Sequence, residues 1–570
     1  MQKRDSQVRS VCVVLLMAII PLIGWAQDDE LKPVTSKYAI RNATIIQAPG
    51  RTIQNGSVLI ENGIIKAVGS SIAIPADAWI VDADSMFVYA GFISGLSNIG
   101  VAKPKEEDRK DDRKLTGNPS YERAGITPGA LTRDMLNPEE KSVADFRKLG
   151  FTASHSVPHN GMIAGRGAIV LLGGANGKSM VVKDQSSMFS QLSGASGVYP
   201  NTVIGVMAKY RDLYRKASQA QAYQNRYNSN PNGMERPEVD ATLEALYPVV
   251  SKQMPVMFKA EDVKDIMRVM ALKRDLGFNL MLGEVKQGWD AIPTIQGSGS
   301  SVFLSLDLPE WKEEESKEED TEEEDAELED EKLTPEEEEE KALKERQMEM
   351  IKKYYTQAGA FQRNGVKFGI STMDVKSKDF KSNLLKVMEN GLSADQALAA
   401  LTTTPASILG VSNTMGTVEV GKMANLVVSD TAYFTKDANV RYVFVDGIKY
   451  DYEVKKKKNK KSNGGEAADA SGVWSYTTET PQGNGSGTIT ITGSPGDYSG
   501  TITMSFNEST NDLNEIVVDG NNVTFSFQTN VGQDITIDIS MDIDGDTFEG
   551  TLSVPEFGSF PMEGSREPEN

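Results

Sequence analysis

Histidine is the side chain best suited to bind a metal or move a proton near neutrality, and this chain has only His155 and His159. A spacing of four would place both imidazoles on one helix face. Pro158 between them and Asn160-Gly161 after them predict a loop instead. Two imidazoles also fall short of the three or four protein ligands that hold zinc. Lining a pocket or accepting a hydrogen bond is the better expectation for both. The single cysteine, Cys12, lies in an apolar N-terminal run, so thiol catalysis and disulfides are excluded once that run is removed. Asp542, Asp544 and Asp546 alternate like the start of a calcium loop, but the twelfth position is Ser553 rather than glutamate, so a hairpin turn is expected. Gly173 to Ser179 lacks the glycine spacing of a phosphate loop, and no serine-elbow sequence is present.

These residues must be carried by something. Lys3, Arg4 and Arg9 precede an apolar run from Val11 to Trp25, and Gly24-Trp25-Ala26 offers small residues before Gln27. Residues 1–26 therefore read as an export signal, and a periplasmic or secreted location is expected. No later segment is long and apolar enough for a transmembrane span. The net charge of −21 is concentrated: Glu313 to Glu340 contributes −17 of it, leaving the rest close to balanced. A nucleic-acid partner is thereby disfavoured. The acidic stretch reads as a solvated insertion or a charged surface helix starting near Thr334-Pro335, because like charges with few apolar residues cannot build a core.

Residues 38–89 alternate like strands, with Glu61-Asn62-Gly63 as a hairpin turn between Ser57–Ile60 and Ile64–Val68. The same β signature returns at Thr417–Val420, Ala424–Val428 and Arg441–Val445, so the two flanks are expected to pair into one module. Between them strands and helices alternate: Pro255–Phe258 leads into a helical run ending at Gly277, then into Phe278–Leu282. Val143–Leu149 and Met348–Gln362 repeat the pattern, and Ser393 with Gln396 forms a capping box. Such βα units predict a parallel sheet, open or closed into a barrel. A Lys/Gly-rich linker at 454–471 precedes strictly alternating runs over 472–567, about eight strands of an antiparallel meander, a small barrel or sandwich.

Three stretches give this plan a family. Asn42–Ile46 through Gly91-Phe92-Ile93, the unit from Pro255 to Trp289, and Ala397 to Asp430 with Thr404-Pro405-Ala406 together resemble the amidohydrolase superfamily, in its imidazolonepropionase-like group. The likeness spans roughly residues 35–450 and is closest in its last part. It implies a (β/α)8 barrel over 91–410, interrupted by the acidic insertion at 310–345, and a composite β sandwich from 35–90 and 411–453. It also implies hydrolysis of carbon–nitrogen bonds by one or two divalent metals, with a water acidified by the metal and a proton-accepting aspartate. Carried over position by position, the ligand positions fall on Leu96, Asn98, Lys259, Glu284 and Met373, with Asp374 one residue further.

An ammonium at a ligand position repels a dication, so Lys259 and Glu284 are expected to pair across the vacated centre. The leading expectation is an exported barrel with its metal site lost, no cofactor, and a role as a non-catalytic binding or partner subunit of an active amidohydrolase or of a small ligand. Two alternatives stay open. One is a zinc- or other metal-dependent hydrolase using Asp374, Glu284 and His155; the other is a surface-binding protein acting through the C-terminal β domain.

Overall fold

A computed structural model describes residues 37–566, apart from 104–116, 118, 196, 311–334, 453–468 and short stretches at 481–482, 495–496, 506–508, 520, 531–533 and 555–557. The expected signal at 1–26, and most of the expected acidic insertion and linker, lie outside the described residues. The chain forms two compact units, Met1–Val454 and Lys455–Asn570. Among the described residues no helix is long and apolar enough to cross a membrane.

The first unit opens with β1 (Lys37–Ala48), β2 (Arg51–Glu61), β3 (Ile64–Gly69), β4 (Trp79–Asp82) and β5 (Phe87–Ala90). The barrel follows as β6 (Phe92–Ser97), β7 (Phe151–Ser156), β8 (Ile163–Leu171), β9 (Val181–Gln191), β10 (Val256–Lys259), β11 (Leu280–Val285), β12 (Ser301–Ser305) and β13 (Phe368–Ser371). The chain then returns to the first sheet as β14 (Leu426–Ser429), β15 (Val440–Val445) and β16 (Ile448–Asp451), in the order β16-β15-β14-β5-β1-β2-β3. The flanks therefore pair as their shared pattern predicts, with β14 antiparallel to β5 and Leu426 opposite Ala90. Asn62 and Asp446 both take positive φ ahead of a glycine, and the two turns touch: a Cβ on Gly447 would lie 2.7 Å from Gly63 Cα. Only glycine permits that approach.

The barrel sheet runs β13-β12-β11-β10-β9-β8-β7-β6 and closes where the Thr372 amide donates to the Leu96 carbonyl at 3.0 Å. Barrel and sandwich are as expected, but the strict βα alternation breaks at the third strand. β8 runs antiparallel to both β7 and β9, and no α-helix separates the three. The connections through Pro158-His159-Asn160-Gly161 and Gly173-Gly174 are too short for the crossover that parallel neighbours require. Elsewhere helices intervene as the periodicity requires. Val263–Leu276 is capped by Asp262 and stopped by Gly277 at φ 78°. Ser393 caps Ala394–Leu401, while its own amide bonds to Gln362 rather than to Gln396, so only half of the expected capping box forms.

Apolar side chains fill the barrel axis. Ile93, Leu96, Phe189, Met257, Met281 and Phe303 form one buried cluster inside the staves. A Cβ on Gly95 would lie 1.9 Å from the Phe303 ring, and one on Gly283 would lie 2.3 Å from Leu96. Those glycines make room for the large residues opposite them.

Among its described residues the second unit has nine strands, where the alternation suggested about eight: β17 (Gly472–Thr480), β18 (Gly483–Ser494), β19 (Asp497–Met504), β20 (Ser509–Asp512), β21 (Asn514–Asp519), β22 (Asn522–Asn530), β23 (Asp534–Asp544), β24 (Thr547–Val554) and β25 (Gly558–Arg566). They run as an antiparallel meander with β25 folded back beside β17. Trp474, Tyr476, Phe525, Phe527 and Phe548 lie in its core, and the Arg566 guanidinium stacks on Trp474 at 4.5 Å. Asp544 and Asp546 flank a tight turn between β23 and β24, the hairpin expected of them.

Candidate functional site

In an α/β barrel, chemistry gathers where the parallel strands end, and the predicted positions lie at that mouth or just below it. Leu96, on β6, is fully buried and packs inward. Asn98, just past β6, donates its amide to the Val157 carbonyl at 2.7 Å. Met373 packs against the interior cluster from beyond β13.

Lys259, the last residue of β10, reaches Asp374 beyond β13 at 2.9 Å. Lys286 reaches the same carboxylate at 3.2 Å, Glu261 at 3.0 Å and Asp307 at 2.6 Å. Two ammonium groups and three carboxylates thus form one ring of charge across the ends of β10, β11, β12 and β13. Burial alone would raise the Asp374 carboxyl, but Lys259 and Lys286 hold it below the usual carboxylate range. Lys286, opposed by burial, is raised by Asp307 and Glu261.

The expected Lys259–Glu284 pair does not form. Glu284 is wholly buried and bonds to the hydroxyls of Ser305 and Ser371, while Lys259 takes Asp374. The side chain is turned by its backbone: Glu284 adopts φ 57°, where a non-glycine residue carries about 1 kcal/mol of strain, and the ladder with β12 shifts register there. Burial, then the charge on Asp374, pushes its carboxyl up to about 7, against the serine hydroxyls and Lys286. The protons can be placed. Ser371 Oγ has one hydrogen and lies in reach of both Leu96 O, at 3.0 Å, and Glu284 Oε2. Given to Leu96, it leaves Ser371 to accept from a protonated Glu284.

His155 belongs to strand β7 rather than to the predicted loop, and it is fully buried. Its Nδ1 lies 3.2 Å from the Gly95 carbonyl and its Nε2 lies 2.9 Å from Ser187 Oγ. A carbonyl can only accept, so Nδ1 carries the proton and Nε2 accepts from the serine. Burial lowers its pKa to about 4, aided by Lys183 and opposed by the Gly95 carbonyl. His159 is in the loop as expected and donates from Nε2 to the Val101 carbonyl at 2.9 Å. The two imidazoles serve different carbonyls.

Asp374, Glu284 and His155 are thus each committed to other partners, and among the described residues no group of three or more His, Asp or Glu is placed to hold a metal ion. Glu261, Lys286, Asp307, Ser305 and Ser371 did not emerge from the sequence. Their signal was present but faint: Glu261 and Lys286 each stand two residues after a singled-out position, and strand residues two apart share a face.

Residues 346–449 match the amidohydrolase family. No curated protein matches the chain by sequence. Among solved structures it is similar to an amidohydrolase from Thermotoga maritima MSB8, with TM-score 0.58 and 21% identity, over 73% of this chain and 100% of the other. A prolidase complexed with N-methylphosphonate-L-proline gives TM-score 0.42 and 14% identity over 73% and 100% of the two chains. Phenylurea hydrolase B gives 0.39 and 16% over 73% and 97%. The barrel with its sandwich is the amidohydrolase fold.

Proposed function

We propose that this member of the amidohydrolase superfamily is a non-catalytic, exported barrel that serves as a binding or partner subunit, with an active amidohydrolase as the expected partner. One observation carries the reading: the fifth-strand ligand position is Lys259, and its ammonium is neutralised by Asp374, the nearest carboxylate to the eighth-strand position. The remaining positions fit a divalent metal no better. Leu96 has no donor atom, and both Glu284 oxygens face serine hydroxyls in a pocket that favours the protonated acid. Leu96 and Phe303 occupy the axis where a bound water would need space. Bringing a dication in would require breaking the charge ring and exposing Lys259 to like charge.

The N-terminal basic and apolar run supports export, which cell fractionation tests directly. The loss of metal is tested by equilibrating purified protein with zinc, removing the free ion and measuring what remains. The expected content is below about 0.1 equivalent, whereas structural and catalytic zinc sites hold about one. Roughly one equivalent retained, and lost in Glu284→Gln or Asp374→Asn, would overturn the reading in favour of a metal-dependent hydrolase of carbon–nitrogen bonds.

A further inference from the structure

Between the helix Val203–Ser229 and the short helix Ala241–Glu244 the chain turns at Pro231-Asn232-Gly233-Met234. The Met234 amide donates to the Pro231 carbonyl at 3.0 Å and Gly233 takes φ 76°, as a type II turn requires of its third residue. Every residue from Asn228 to Gly233 is exposed, and a Cβ on Gly233 would meet nothing within 4 Å. Apart from the turn bond, only the Asn232 backbone amide is held, by the Asn230 side chain at 3.1 Å. Among the described residues neither the Asn232 side chain nor the Gly233 amide has a partner.

An asparagine followed by glycine carries a latent reaction. The glycine nitrogen attacks the side-chain carbonyl carbon, Cγ; a C–N bond forms, the Cγ–Nδ2 bond breaks, and ammonia leaves with the proton that the nitrogen gives up. Water then opens the cyclic imide at either carbonyl. The product is aspartate, or isoaspartate with the main chain running through the former side chain. Glycine favours the attack because no Cβ crowds its nitrogen. A fold opposes it wherever the nitrogen and the carbonyl are held apart.

Asn-Gly recurs along the chain, and the fold restrains the other described copies. Gly56, after Asn55, is buried within the β1–β2 ladder. Gly63, after Asn62, lies against Gly447, and its carbonyl takes the Ala424 amide at 2.7 Å. Gly161 and Gly177, after Asn160 and Asn176, press on the carbonyls of Gly125 and Leu136, where a Cβ would come within 2.7 and 2.5 Å. At Asn364 and Asn390 the side-chain nitrogen donates to the carbonyl four residues earlier, and the next glycine amide donates to Gln362 or Met388. We propose that Asn232 is the site at which this chain ages, deamidating through its imide to aspartate and isoaspartate while these restrained pairs stay intact. Each conversion adds a negative charge to an exposed turn far in sequence from the strand ends of the barrel mouth.

The test incubates the full, folded chain in mildly alkaline buffer, which favours loss of the proton from the glycine nitrogen. Peptide mapping then follows each Asn-Gly pair, with enzymatic methylation to report isoaspartate. Asn232 is expected to convert about tenfold or more faster than Asn62, Asn176, Asn364 or Asn390, because only local opening of the fold frees those four. In strong denaturant the spread should collapse to within about threefold, since the dipeptide is the same. Asn232→Gln should keep the melting temperature, its side chain being exposed, and lose the first acidic species seen on charge-based separation. Conversion at Asn232 no faster than at the restrained pairs overturns the proposal. So does a spread that persists in denaturant, or an acidic species that forms unchanged in Asn232→Gln.

Discussion

Glu284 and His155 are both buried inside one barrel, and burial favours the neutral form of each while moving their pKa values in opposite directions. The Glu284 carboxyl moves up from 4.5 to about 7, so its folded state holds a proton more tightly than the unfolded chain does. Stability from this residue is complete below the unfolded value and is lost as pH rises through the folded one, about 3 kcal/mol in all. His155 moves down from 6.5 to about 4, so its folded state refuses a proton and stability is lost as pH falls across that interval. The two slopes oppose each other between pH 4.5 and 6.5. A wild-type curve alone would conceal both. Glu284→Gln keeps a neutral side chain of the same shape, so its melting temperature relative to wild type should climb between about pH 4.5 and pH 7 and level off above that. A difference that stays flat from about pH 5 to pH 8 would mean Glu284 is ionised in the fold, as a ligand would be.

At the scale of elements, the barrel axis is a matched set of small and large residues. Gly95→Ala drives a methyl into the Phe303 ring and should cost roughly 1–3 kcal/mol by overpacking. Phe303→Ala opens a void and should cost about 3–5 kcal/mol. The pair Gly95→Ala with Phe303→Leu should cost less than the two separate losses added together, because the smaller side chain receives the methyl; chemical denaturation of the four proteins measures this. Such matching was not legible beforehand, since Gly95 and Phe303 lie on different strands and no local pattern links them. Periodicity did reveal the elements, as with Val263–Leu276 between Asp262 and Gly277. The family resemblance, rather than periodicity, placed Lys259 and Asp374 at strand ends facing the mouth. It misassigned the partner of Lys259 because the positive φ of Glu284, which turns that carboxyl towards Ser305 and Ser371, has no signature in residue type. The reversed strand β8 was missed for a related reason: an apolar run shows that a strand is buried but not its direction.

At the scale of the whole molecule, the two units have separate cores, one centred on the barrel and one on Trp474 and its neighbours. Residues 469–570 expressed alone should therefore unfold cooperatively, with near-ultraviolet circular dichroism from a buried Trp474, and their transition should match the corresponding one in the full chain. A fragment without a cooperative transition would show that the nine strands need the barrel. The first unit is less divisible. Its opening sheet presents β5 as a bare margin until Leu426–Ser429 arrives to pair with Phe87–Ala90. During synthesis the ribosome delivers that margin first and its complement after almost the entire barrel. For that interval the newborn chain offers a sticky template to any passing strand, so efficient production should depend on a chaperone able to shield it.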